Sequence, residues 1–282
     1  MQFAPGVVLV TVPGGELALR TPDGSFLRVD TSGADAGALT ARLADGTGAG
    51  DPELDRLAAA FHDAGYTGRR EGGTSRDRPL AGRTVVVLGD PVVAGLLTRW
   101  VRDAGAAVPQ TAGDAQGTED AITAALEADP ARTAVVWCLD GPVPPGLWDA
   151  ADRLLPARGA AWLRTHREGR HIWIEPPAAG PGDVTSAHVR LRRLAATPAH
   201  RQLAAYWAGH RTPDDTPRHT ETSAALTAAL LTGDLIAWAA AGGAPLAVRR
   251  RLRRIDLRDL TVTEHPVLPV PEVAPLPESR TA

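Results

Sequence analysis

The chain has 282 residues, 44% of them hydrophobic, and a formal charge of -3 that gives no sign of a nucleic-acid partner. All 30 basic residues are arginine, which excludes a Walker lysine, a Schiff-base lysine and a lysine base. The single cysteine, Cys138, excludes an intrachain disulfide or a thiolate zinc cage.

The opening stretch MQFAPGVVLV has no basic segment followed by a small-residue cleavage site. No run of about 18 apolar residues stands out as a membrane span, so neither a membrane nor a nucleic acid is expected as a partner, and a cytoplasmic location is. GVVLVTV (6–12), ELALRT (16–21) and SFLRVD (25–30) are short and β-rich, and Pro-Gly-Gly and Pro-Asp-Gly turns separate them. They predict a three-stranded meander. Two helical patterns follow, with Leu39 and Leu43 in the first and Leu54, Leu57, Ala58 and Phe61 in the second. The second opens on Asp51 as N-cap and Pro52 at the first helical position. Strands followed by two short helices predict a winged helix-turn-helix domain over 1–70.

Residues 71–82 are polar, charged and glycine-rich, as a linker would be. A second domain is predicted over 83–265. TVVVLG (84–89) and RTAVVWCLD (132–140) read as buried parallel-type strands, alternating with helices over 91–105, 118–129 and 145–159. A strand and hairpin over 160–175, helices over 184–196 and 219–243, and closing strands from Arg253 complete it. The alternation predicts a doubly wound, Rossmann-like sheet, so the fold class is α/β. The Pro-rich segment 266–282 reads as an extended tail.

The turn after the first strand of this second domain should cradle a phosphate if it binds a dinucleotide. In VLGDPVVAGLL, Asp90 puts a negative charge there and Pro91 removes a donor. The pair reads as a helix cap on a retained scaffold. Cys138, in AVVWCLD, reads as a buried small hydrophobe. His166, His171, His188, His210 and His219 lack metal-ligand spacing and read as scattered surface residues. Arg190, Arg192 and Arg193 form a cationic helix face, read as solvated in preference to an anion grip. The helix from Asp51 carries Asp51, Glu53, Asp55 and Asp63 against Arg56, which would repel DNA phosphate. The strand SFLRVD instead offers an edge that an extended peptide could join.

The order of parts resembles the ThiF-like leader-peptide-binding partner proteins of azoline-forming cyclodehydratases, which serve thiopeptide and linear azole peptide pathways. LRVDTSGADAGALTARLADGTG in the first domain carries the likeness, as do GRHIWIEPPAAGPGDVTSAHVRLRRLA and GGAPLAVRRRLRRIDLRDLTVTEHPVLPVPEV in the second. Many such relatives hold zinc with two Cys-x-x-Cys pairs. Here the corresponding positions, 183–186 and 272–275, have no cysteine.

The resemblance implies a non-catalytic subunit with neither metal nor cofactor. Its winged helix, a RiPP recognition element, would deliver the leader of a precursor peptide to a separate YcaO-type cyclodehydratase. The expected peptide-binding residues are Phe26, Leu27, Arg28, Val29 and Asp30 on the strand, with Leu54, Leu57, Ala58 and Phe61 on the helix; Arg28 would meet a leader carboxylate. A homodimer is expected from the apolar helix 222–241 and from the family's habit of pairing through this domain. Two other readings stay open on the residues alone: a Rossmann-type nucleotide-dependent enzyme binding at 89–95, and a winged-helix DNA-binding regulator.

Overall fold

The computed structural model describes residues 2–31, 33–45, 47–48, 50–68, 78–109, 115–212 and 219–271. It divides into two compact units, Met1–Thr74 and Ser75–Ala282. Positions 71–77 of the expected linker, the 272–275 positions and the tail beyond Pro271 lie outside the described residues.

In the first unit, β1 (Gln2–Phe3) is followed by β2 (Val8–Thr11), β3 (Leu17–Arg20) and β4 (Phe26–Val29), then α1 (Ala36–Ala44), α2 (Pro52–Asp63) and β5 (Thr67–Gly68). Strands β2, β3 and β4 form the antiparallel meander in that order. The pairing of β1 with β5, which ties the two ends of the unit together, was not foreseen. The side chains of β3 alternate, so Leu17 and Leu19 are buried while Arg20 faces solvent. The buried pair meets Leu39 and Leu43 of α1 and Leu54, Ala58 and Phe61 of α2 in one core. The Asp51 carboxylate accepts from the Glu53 and Leu54 amides with Pro52 at the first position, as the sequence predicts.

The second unit contains β6 (Thr84–Gly89), α3 (Pro91–Asp103), α4 (Ala115–Ala128), β7 (Thr133–Leu139), α5 (Asp149–Ala157), β8 (Ala161–Glu168), β9 (His171–Ile174), α6 (Ser186–Ala195), α7 (His200–Trp207), α8 (Glu221–Ala241), β10 (Arg251–Asp256) and β11 (Val262–Pro266). Helices cover both faces of one sheet. Val85, Val87, Val136 and Leu163 pack with α3 and α8 on one side, and Val86, Leu88, Val135 and Trp162 pack with α4 and α5 on the other. Burial on both faces explains why β6 and β7 read as unbroken apolar runs.

The expected doubly wound sheet is corrected to a mixed one. Its order runs β11-β10-β9-β8-β7-β6 without reversal, parallel from β6 to β8 and antiparallel from β8 to β11. Only Gly169 and Arg170 separate β8 from β9, and so short a connection can join only antiparallel strands. Leu80, inside the expected linker, is buried in this unit's core and donates its N–H to the Ala104 carbonyl at 2.8 Å.

Helix α7 was also not foreseen. Its N-cap is Ala199, which supplies no side-chain cap, so no local start signal marks it. Helix α8 corrects the expectation that no segment could span a membrane, because its length and composition are sufficient. Here Ala224, Ala228, Leu231, Leu235 and Trp238 bury one side of it in the core. Its Asp234 pairs with Arg253 of β10, both side chains nearly fully buried.

Candidate functional site

The nucleotide crest is closed by its own backbone. Gly89 ends β6 at φ 99°, and a Cβ built on it would stand 1.8 Å from the Cys138 carbonyl oxygen of β7. The Asp90 amide donates to that oxygen at 2.7 Å. The Asp90 carboxylate accepts from the Val92 and Val93 amides, both at 3.1 Å, which occupies the donors a phosphate would need. Glycine at 89 thus serves the close approach of two strands. Gly95, by contrast, has nothing within 4 Å of such a Cβ. Cys138 is buried, and desolvation pushes its thiol far above the usual range, with the Asp90 charge adding to the shift.

The expectation of surface histidines and solvated arginines holds for His210 and Arg192, which are exposed, and is corrected for buried His166 and for the partly buried Arg190 and Arg193. His166 is buried on β8, with Nε2 3.3 Å from Glu168 and Nδ1 3.7 Å from Glu175. His188 accepts the Thr185 amide in a capping box at the start of α6. His171 lies 3.6 Å from Asp256, and His210 is exposed. His219 is half-buried, and desolvation lowers its pKa. No group of three or more potential ligands for a metal occurs among the described residues.

Arg193 grips Glu168 with two hydrogen bonds, at 3.1 and 2.6 Å, and its guanidinium lies 3.9 Å from the Trp173 ring centre and 5.0 Å from that of Trp207. Arg190 donates to the Val143 carbonyl, and Arg192 to those of Leu268 and Pro269. All three are therefore engaged within the chain. Behind them, fully buried Arg164 holds Glu175 at 2.9 Å and lies 3.6 Å from Asp152, which also accepts from the Trp162 indole and the Ser186 amide. Sequence reading missed this network. Its one signal was Arg164, His166 and Glu168 alternating along AWLRTHRE, and the alternation did not reveal that Ala161–Arg167 are all buried.

The first unit contains all nine expected peptide-binding residues. Strand β4 is the last strand of its sheet, with β3 on one side only. The Thr21 amide donates to the Ser25 carbonyl, so Thr21 and Ser25 form a hydrogen-bonded pair. Alternation along the antiparallel register then turns the backbone of Leu27 and Val29 toward β3 and that of Phe26 and Arg28 toward the open edge. Side chains alternate as well. Leu27 and Val29 share the core face with Leu19 and Leu17, while Phe26 and Arg28 share the outer face with Arg20 and Ala18.

Phe26 is 62% exposed and Leu27 42% exposed; Arg28 and Asp30 are also exposed, and Val29 is half-buried. On α2 the expected groove is largely filled from within. Leu54, Ala58 and Phe61 are buried in the unit's core, and Leu57 is half-buried against it. These helix residues therefore belong to the unit's own core, and among the nine expected residues the large apolar side chains open to a ligand are Phe26 and Leu27.

No protein-family model and no curated protein sequence matches the chain. Solved structures do match it. A heterocyclase in complex with substrate and cofactor superposes on 95% of this chain with a TM-score of 0.62 at 13% identity. The heterocyclase TruD superposes on 94% with a TM-score of 0.60 at 15% identity. PaaA superposes on 95% with a TM-score of 0.58 at 10% identity, and all of PaaA is covered. The chain spans only 38% and 41% of the two heterocyclases. It thus has, over nearly its whole length, a fold that makes up about two fifths of each heterocyclase and the whole of PaaA.

Proposed function

We propose that the chain is a peptide-recognition subunit: its N-terminal unit, acting as a winged-helix recognition element, captures the leader of a ribosomal precursor peptide by strand addition to β4. The observation that carries this is the open edge, where Phe26 and Arg28 present backbone donors and acceptors next to exposed apolar side chains. Main-chain pairing gives affinity that tolerates sequence variation, and the flanking side chains give selectivity.

The catalytic step, ATP-dependent azoline formation on the core peptide, is assigned to a separate YcaO-type cyclodehydratase. Two findings support that division: the chain's fold makes up only part of two heterocyclases, and the Asp90 cap fills the nucleotide crest. In this reading the second unit is a non-catalytic scaffold without bound cofactor or metal, and it forms a homodimer through α8. The solvent side of that helix presents Ala229, Gly233, Ala237 and Ala240 without a charge.

The test is reconstitution. A YcaO-type cyclodehydratase, its precursor peptide and ATP are incubated with and without the full chain, and loss of one water per ring is followed by mass spectrometry. Ring formation should require this chain and should fail on a precursor lacking its leader. Equal processing without the chain would refute the reading.

A further inference from the structure

The outer face of the β4 edge carries a specific charge pattern. Arg20 lies cross-strand from Phe26, and Arg28 follows two residues along. Both arginines are exposed, and they flank the exposed ring of Phe26. Glu16, just before β3, and Asp30, just after β4, close the pattern with negative charge. Arg28 lies 3.1 Å from Glu16, with the two side chains 79% and 59% exposed. An ion pair so open to water contributes little to stability and exchanges partners readily.

A strand added to β4 sets one of its side chains beside Phe26 and, two residues away, another beside Arg28, because period-two alternation holds across the new pairing. The side chain next to Phe26 gains by being apolar. The one next to Arg28 gains by carrying a carboxylate, since the partner that guanidinium would give up, Glu16, is itself solvent-exposed.

From this we infer that the edge selects an extended peptide with an acidic and an apolar residue two positions apart, and that Glu16 is a built-in competitor for Arg28. The inference rests on the strand-addition reading and names the ligand chemistry of that site. Glu16 sets a threshold: a peptide without the carboxylate leaves the resident pair intact and gains only main-chain bonds and the Phe26 contact. A peptide with it replaces the Glu16 pair by one that the added strand partly shields from water.

The experiment uses the full chain. Displayed random peptides of about ten residues, long enough for one strand, are selected on it, and the enriched peptide is labelled for fluorescence polarisation. The expected pattern is an acid two positions from an apolar residue. Glu16→Gln should tighten binding of that peptide about two- to five-fold, the range expected for releasing an exposed pair. Arg28→Glu should weaken binding about ten-fold or more, and a peptide with lysine in place of the acid should recover it. Thermal melts verify that each variant stays folded.

Selected peptides with no acidic preference, or no coupling between position 28 and the peptide acid, would overturn the inference. The strand-addition reading would still stand if Arg28→Pro abolished their binding. If no selected peptide depends on β4, both fail together.

Discussion

A side-chain carbon at residue 89 would lie 1.8 Å from the carbonyl oxygen of Cys138, so Gly89 is fixed by the approach of β7 and not by any phosphate. Gly89→Ala must therefore push β6 from β7 and also strain a residue at φ 99°. A loss of soluble folded protein, or a fall of many degrees in melting temperature, is expected. Gly95→Ala is the control. It lies inside α3 with open space around it, so the same change there should stabilise by about 0.5–1 kcal/mol. Calorimetry with ATP should show no micromolar binding to the parent or to Gly95→Ala.

The Glu168 cluster should make the second unit acid-labile. Burial by itself would raise the Glu168 pKa, but hydrogen bonds and charges from His166 and Arg193 outweigh it and hold the carboxyl well below the usual range. A carboxyl depressed in the folded state adds stability that is present above its ordinary pKa and lost as pH falls toward the folded value. Melting temperature should therefore drop below about pH 4.5, and Glu168→Gln should flatten that limb. At neutral pH the same variant leaves Arg193 and the Trp207 indole poorly paired, for a cost of about 3–5 kcal/mol. An unchanged acid limb would show that Glu168 is not its source.

Proline substitution distinguishes the two sides of β4. Arg28→Pro removes an N–H that faces the open edge, so the unit should keep its melting temperature while leader binding falls. Leu27→Pro removes an N–H that pairs with β3, so stability should fall by about 3 kcal/mol or more. Parallel melts and polarisation titrations check the pair. Equal effects of the two prolines on stability would refute the assigned alternation.

On α2, Phe61→Ala should act on folding before it acts on binding. Phe61 is buried and meets Tyr66 edge to face with ring centroids 6.3 Å apart, so truncation should cost about 3–5 kcal/mol. Leu57 is only half-buried, and Leu57→Ala should cost about half of that or less. Denaturant unfolding of the full chain, read at the first unit's transition, gives both numbers.

The α8 homodimer is checked by light scattering. Gly233→Arg puts a charge on the solvent side of the helix, where a side-chain carbon at this position would meet nothing within 4 Å. The parent is expected as a dimer at tens of micromolar protein and the variant as a folded monomer, because small residues permit close helix approach and a bulky charge prevents it. A monomeric parent would remove the dimer from the proposed function.

What the sequence determined by itself was local. Alternation and turn residues placed the meander, apolar periodicity placed α1, α2 and α3, a long apolar stretch placed α8, and the Asp-Pro pairs at Asp51–Pro52 and Asp90–Pro91 marked helix starts that the structure shows as side-chain caps. These signals lie within one or two turns of chain, where spacing and capping chemistry act directly.

What only the tertiary structure decided involves partners distant in sequence. Gly89 is explained by Cys138, the Asp234 charge by Arg253, and Arg190 by Val143. Arg193 looked solvated because a cationic helix face reads the same whether water or a glutamate lies opposite, whereas Arg192 is exposed as expected. Leu54, Ala58 and Phe61 looked available to a ligand because an apolar stripe reads the same whether the unit's own core or a peptide fills it. The backbone direction at Phe26 and Arg28 depended on register with β3, which a strand's own residues do not encode.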